Sequence, residues 1–340
     1  MIAARRIPFL HRMSFLVWCG GTVVIAINGT AQAEWSAIVS ERTSYTTDAF
    51  QFSAARRLRL SEDPSQPTDV PLNKPEDVIW EPAAEAIHSS PVTFGKNEFS
   101  VKAHGAIYTN NPAFNHGIYR VQDRMSFGNG TSVLLRYRYT PNLLLGPNVE
   151  RQTGTASIQE ERVTSHIWRM ELEQRLNQDI TAALIGRYGL RLYNEAFAER
   201  DTRFYTIGPR VRYQATSAVG LTVAYLYERG LADGRNEPQF SDDVSYKLYL
   251  LSFETELRLA TRTRLELGYI YTRKDFTSEL TGDTHVGRQD RTHQGRAELQ
   301  YQFTASFTGS LGFLYTQRSS TNALRDFNDS IVSLEGQYQF

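Results

Sequence analysis

The sequence predicts an all-β chain, an antiparallel transmembrane β-barrel of twelve strands or, alternatively, fourteen. Three observations carry this reading. From Asn97 to Phe340 the chain is built of short segments in which apolar and polar residues alternate, the period of a strand whose two faces meet different media. The connections between the segments are in turn very short and rather long, the parity of a barrel with turns at one rim and loops at the other. The alternation also runs to the last residue. Val332, Leu334, Gly336, Tyr338 and Phe340 share one face, and Ile331, Ser333, Glu335, Gln337 and Gln339 share the other. Free termini normally fray, so an apolar terminal residue points to a chain that ends inside a sheet.

Residues 1–33 have the pattern of a secretory signal peptide. Arg5, Arg6 and Arg12 precede an apolar centre, Met13 to Ile27, and Ala31-Gln32-Ala33 is a small-x-small cleavage site. The one cysteine, Cys19, lies in this segment, so the mature chain is expected to lack disulfides, thiolate metal ligands and cysteine nucleophiles. Residues 34–96 form an N-terminal segment of mixed character. Trp35 to Tyr45 and Phe50 to Leu60 are two possible further strands, although Glu41 and Arg56 would fall on their apolar faces. Asp63 to Pro91 holds Pro64, Pro67, Pro71, Pro75, Pro82 and Pro91, a composition that suits a linker, a plug or a periplasmic segment.

The barrel proper is expected over residues 97–340. Phe99, Val101 and Ala103 alternate with Glu98, Ser100 and Lys102, and Tyr119 to Phe127 leads into the turn Gly128-Asn129-Gly130, where Asn-Gly favours a tight hairpin. Val133, Leu135, Tyr137 and Tyr139 then oppose Arg136 and Arg138. A long connection, Pro141 to Glu160, precedes Trp168, Met170 and Leu172 against Arg169, Glu171 and Glu173. Leu184, Tyr188 and Leu192 oppose Arg187 and Arg191, and Tyr205, Ile207, Val211 and Tyr213 oppose Arg210 and Arg212. Leu221, Val223, Tyr225 and Tyr227 continue the series before an acidic loop, Ala232 to Val244. Phe253 and Leu257 stand against Glu254 and Glu256, then Leu265, Leu267 and Tyr269 against Arg264, Glu266 and Gly268. The loop Ser278 to Thr292 comes before Ala297, Leu299 and Tyr301 against Arg296 and Glu298, and Phe307 to Tyr315 completes the series ahead of the last strand.

The final strand resembles the C-terminal strand of Gram-negative outer-membrane β-barrels, through Phe340, Tyr338 and Leu334. The resemblance implies that Tyr338 and Phe340 form an assembly signal read by the barrel-assembly machinery. It also implies an outer-membrane location after removal of the signal peptide, in contact with lipid and lipopolysaccharide. It implies no substrate.

Composition excludes other classes. With 37 basic and 37 acidic side chains the chain has no net field to recruit nucleic acid. Beyond residue 33 no apolar run approaches the roughly 20 residues of a membrane-spanning helix, and aromatics, at 12%, fall at strand spacing. No glycine-rich phosphate loop opens a helix, the histidines are scattered, and no cofactor or metal is expected.

The polar faces carry the candidate chemistry. Arg136, Arg138, Arg169, Glu171, Arg187, Arg191, Arg210, Arg212, Glu254, Arg264, Glu266, Arg296 and Glu298 are expected to face the lumen. Such charges either pair and fill it or line a water-filled pore whose surplus of arginine favours anions. The expected function is a porin-like channel for small polar or anionic solutes, with an outer-membrane hydrolase and a closed structural barrel as alternatives. For the hydrolase, Asp242 and Asp243 lie in one external loop and Asp283 and His285 in the next. Asp283-Thr284-His285 is similar to the Asp-x-His half of the omptin proteases, but the Asp-x-Asp half has no counterpart. Asp233, Glu237, Asp242 and Asp243 match no calcium-loop spacing, so they read as solvated charge.

Overall fold

The computed structural model describes residues 34–49, 76–93, 95–154, 157–322 and 325–340. The signal peptide expected at 1–33 and the strand expected at 50–60 lie outside the described residues. The described residues form fourteen strands: β1 (Glu34–Thr46), β2 (Asp77–Val92), β3 (Gly95–Tyr108), β4 (His116–Phe127), β5 (Thr131–Val149), β6 (Ile158–Arg175), β7 (Ile180–Tyr193), β8 (Thr202–Thr216), β9 (Val219–Ala232), β10 (Tyr246–Ala260), β11 (Thr263–Phe276), β12 (Gln289–Gln302), β13 (Phe307–Ser320) and β14 (Phe327–Gln339). Each pairs antiparallel with its sequence neighbours, and β1 pairs with β14 to close the barrel. Closure leaves no unpaired edge, the condition for a sheet to stand in hydrocarbon.

Fourteen is thus the number, because residues 34–96 supply two strands and start a third. Asp77 to Pro91, read from its prolines as linker or plug, is strand β2 instead. Pro82 lacks an N–H, and the β2–β3 register accordingly skips from Trp80 to Ala83. The strand survives because β1 pairs with it through this region, Glu41 opposite Pro82. Glu41 does fall on the outer face, flanked across the strands by Pro82 and Gly336. The stretch 141–160, expected as a connection, is largely strand. β5 and β6 continue past bulges at Thr140/Leu143 and Leu144/Gly146, and Leu143, Leu145 and Val163 pack there into a buried cluster.

The alternation sorts by burial as the sequence reading requires. Leu135, Trp168, Met170, Leu184, Ile207, Phe253, Leu267, Leu311 and Leu334 are exposed on the outer surface, while their strand neighbours point inward. Aromatic rings form a continuous outer row, with Tyr137 and Trp168 at 5.4 Å, Trp168 and Tyr188 at 5.7 Å and Tyr188 and Tyr205 at 5.2 Å. Aromatic girdles of this kind belong at the polar boundaries of a bilayer. At the opposite end, the Phe340 ring meets Tyr338 edge-on at 4.7 Å, and its amide donates to Ala37 O at 2.9 Å.

One rim carries only short turns, the connections 128–130, 176–179, 217–218, 261–262 and 303–306 among them; the other carries the longer loops 109–115, 194–201, 233–245 and 277–288. Glu34, where β1 begins, and Phe340 both lie at the turn rim. At the loop rim the β1–β14 seam is stapled by Asp329, whose Oδ1 accepts from Thr46 Oγ1 (3.0 Å), Thr47 N (3.1 Å) and Asp48 N (2.9 Å).

Candidate functional site

All thirteen lumen positions expected from the sequence alternate with outward apolar residues on their strands. Their register places like charges side by side. Arg136 lies opposite Arg169 and Arg169 opposite Arg187, while Arg120 lies opposite Arg138. On the other wall Glu256 lies opposite Glu266 and Glu266 opposite Glu298. Rows of like charge are unfavourable unless counter-ions reach them, and diagonal partners do. Glu171 takes Arg169 Nε at 2.6 Å and Arg210 Nη2 at 2.7 Å, and Glu173 takes the same Arg210 at 3.1 Å. Glu254 pairs with Arg296 and Glu256 with Arg264, both at 3.1 Å.

Three further sets of lumen charges come from residues that the sequence reading did not select. Arg42 on β1 binds Glu335, through Nε at 2.7 Å, and approaches Glu298 at 3.6 Å. Glu85 on β2 takes Arg120 at 2.8 Å and Lys102 at 3.9 Å. Glu228 on β9 takes Arg187 at 3.1 Å. The alternation of β3 already placed Lys102 on a polar face. Arg42 and Glu85 sit in the N-terminal segment, whose strand period is masked by Glu41 and Pro82.

Hydration divides the lumen into two zones. Near the turn rim the inward charges of the wall β10–β12 stay wet, with Arg264 44%, Glu256 49%, Arg296 43% and Glu254 39% exposed, whereas Ser132, Leu134, Glu171 and Ala183 near the same rim of β5–β7 are buried. Toward the loop rim the wall β7–β11 is dry. The side chains of Arg187 and Glu228 have no exposure, and Ile185, Leu226, Leu248, Leu250 and Ile270 form a buried apolar cluster that also takes in Phe327 and Ile331 of β14. Gly208 lies directly opposite Ile185, and the β9 backbone comes so close there that a Cβ would sit 1.9 Å from Tyr225 O. Arg138 and Arg191, expected to line a pore, are buried at 5% and 1% exposure. The Arg191 guanidinium lies over Phe204 at 4.4 Å and donates to the Tyr246 hydroxyl at 2.9 Å.

At the loop rim the structure joins residues from three loops. His285 Nδ1 lies 2.8 Å from Asp283 Oδ1 and 3.5 Å from Asp242 Oδ1. Asp242 Oδ2 accepts from Arg200 Nε at 2.7 Å, and Arg200 Nη1 reaches Glu161 Oε1 at 2.8 Å. The amide of Asp243 donates to Asp283 Oδ2 at 2.8 Å, and Ser278 Oγ donates to the same oxygen at 2.5 Å. Burial raises the Asp283 carboxyl pKa, but the hydrogen bonds from His285 and Ser278 outweigh it and hold the pKa at about 2. Asp243 turns its own carboxylate to the Ser245 amide at 2.9 Å. Asp233 instead pairs with Arg203 at 3.5 Å in water.

An acid and a histidine therefore do converge at this rim. Asp242, Asp283 and His285 are nonetheless buried, at 1%, 6% and 6% exposure. The imidazole is packed 4.9 Å from the Phe276 ring, an arrangement that presents no open face to a polymer or lipid substrate. Sequence reading had the residues but not their meeting, because loops of different lengths carry them.

No protein-family model matches the chain, and no curated protein matches it. Solved structures match the whole barrel at very low identity. The outer membrane channel DcaP of Acinetobacter baumannii is 9% identical, with 91% of this chain and 97% of that one covered and a TM-score of 0.53. A bacterial polysaccharide outer membrane secretin is 7% identical, covering 89% and 98%, with a TM-score of 0.50. The trimer form of OmpT, an outer membrane protein of Vibrio cholerae, is 8% identical, covering 91% and 99%, also with a TM-score of 0.50. The shared property is the fold, a closed antiparallel β-barrel.

Proposed function

We propose that this outer-membrane β-barrel is a porin-like channel for small polar solutes, with a preference for anions, placed in the membrane with its turn rim toward the periplasm. The observation that carries the reading is the wet inner surface. Arg264, Arg296, Glu254 and Glu256 face inward and, although they pair with one another, keep 39–49% of their side-chain surface in water, so water reaches this part of the inner wall. The anion preference rests on the wall β4–β8, where Arg120, Arg124, Arg136, Arg169, Arg210 and Arg212 outnumber the nearby acids Glu85, Glu171 and Glu173. A cationic wall lowers the barrier to anions and raises it to cations. After loss of the signal peptide, assembly through Tyr338 and Phe340 by the barrel-assembly machinery, and contact with lipid and lipopolysaccharide, belong to the same reading.

A second reading, a structural barrel with a closed lumen, draws on the dry wall toward the loop rim. Conductance of the purified barrel in planar bilayers, with reversal potentials under a salt gradient, separates the two. The channel reading expects discrete conductance and a reversal potential on the anion side. A folded barrel that conducts nothing leaves the closed barrel as the account.

A further inference from the structure

We propose that Asp242, Asp283 and His285 form a binding site for a divalent first-row transition ion, of the zinc class, that ties the loop 233–245 to the loop 277–288. Among the described residues these three bring one ligand atom each, all within 4.8 Å of one another, and all three residues are buried. Of the separations from His285 Nδ1 to the two carboxylate oxygens, the 3.5 Å one matches the edge of a tetrahedral shell with bonds of about 2.0–2.2 Å and the 2.8 Å one would have to open by about half an ångström. The Nδ1 atom faces both carboxylates, so its lone pair would meet an ion held between them.

An independent observation supports the site. Asp242 Oδ1 is buried with no hydrogen-bond partner, although its other oxygen is held by Arg200. A buried carboxylate oxygen without a donor carries a desolvation penalty, and a cation between Asp242 and Asp283 removes it. Glu199, close enough to feel the charge of Asp242, has a second buried oxygen without a donor, Oε1. Gln152 holds its other oxygen at 2.8 Å. Charge agrees with this, since the contacts of Arg200 go to Asp242 and Glu161, leaving Asp283 with His285 as its ionic partner. The donor set decides the class of ion. A neutral imidazole suits zinc and its neighbours, whereas calcium and magnesium prefer oxygen throughout.

The test uses the full barrel extracted from membranes without a histidine tag, stripped with chelator and titrated with zinc by calorimetry. One zinc per barrel is expected. Asp242→Asn and His285→Gln should weaken binding by about tenfold or more, while Asp233→Asn, in the same loop but in water, should leave it unchanged. Calcium at the same concentration should not displace the zinc. Absence of stoichiometric zinc binding by the parent overturns the proposal, as does unchanged affinity in a heat-modifiable, folded Asp242→Asn barrel, or displacement of zinc by calcium. Should the variants fail to fold, X-ray absorption of the zinc-loaded parent decides. One imidazole with oxygen ligands supports the site, and an all-oxygen shell refutes it.

Discussion

Removing the charge of Glu228 is the sharpest test of the dry zone. Its Oε2 receives Arg187 Nη2 at 3.1 Å and the Thr206 hydroxyl at 2.5 Å, and its Oε1 receives the Tyr246 hydroxyl at 2.7 Å. Both charged side chains have zero exposure. Glu228→Gln keeps the shape and an acceptor but removes the carboxylate charge that faces the Arg187 cation in a site that water does not reach. Breaking a buried pair in this way costs about 3–5 kcal/mol, against about 0–1 kcal/mol for a pair in water. Arg187→Met combined with Glu228→Gln removes the cation as well, so the double variant should recover most of the loss, a coupling of about 1–3 kcal/mol. Urea unfolding of the lipid-reconstituted barrel, followed by tryptophan fluorescence, measures both. A loss below about 1 kcal/mol for Glu228→Gln would show that water enters beside Arg187, and the two-zone lumen would be refuted.

Four further outcomes are expected. Reversing the wet arginines, Arg264→Glu with Arg296→Glu, should leave a folded barrel and move ion selectivity toward cations in bilayer recordings; an unchanged reversal potential counts against the turn-rim half as the selective region. Leu267→Arg, 40% exposed on the outer face, should lose roughly 2–4 kcal/mol in lipid. Gly268→Ala meets only the flexible Arg296 side chain, at 2.5 Å, and should fold; the reverse ranking in urea would mean that the two faces are exchanged. Phe340→Ser should reduce heat-modifiable barrel in the outer membrane far more than Gln339→Ala, and equal amounts would remove Phe340 as the assembly anchor. Finally, burial, aided by the charge of Asp233, raises the Asp201 pKa from 3.8 to about 6 against the Tyr193 amide bond that opposes it. The protonated form is the better fit to the fold, so this stabilisation is complete below pH 3.8 and is lost as pH rises through about 6. Hydrogen exchange in residues 194–201, corrected for intrinsic rates, should show less protection above that pH, and Asp201→Asn should flatten the dependence.

What the sequence by itself determined is whatever depends on the next residue but one. The period of two decides which side of each strand is apolar, and that is why Arg136, Arg169 and Glu266 face inward and Leu135, Trp168 and Leu267 outward without any knowledge of neighbours. Connection length likewise separated the turn rim from the loop rim. The sequence was misleading where local chemistry and tertiary pairing disagree. The prolines of β2 spoke against a strand, and only the ladder from β1 holds Pro82 in one. The tertiary structure alone decided which inward charges are wet. Arg187 and Arg264 occupy equivalent positions in their own alternation, yet one is sealed by Glu228 and Tyr246 while the other faces water. It also decided the seam, where Arg42 meets Glu335 from the far end of the chain, and the rim site, where Asp242 meets Asp283 and His285. Alternation records the side of a sheet and carries no information on height along the barrel, on what lies across the lumen or on how loops fold over it, because those depend on contacts between residues far apart in the chain.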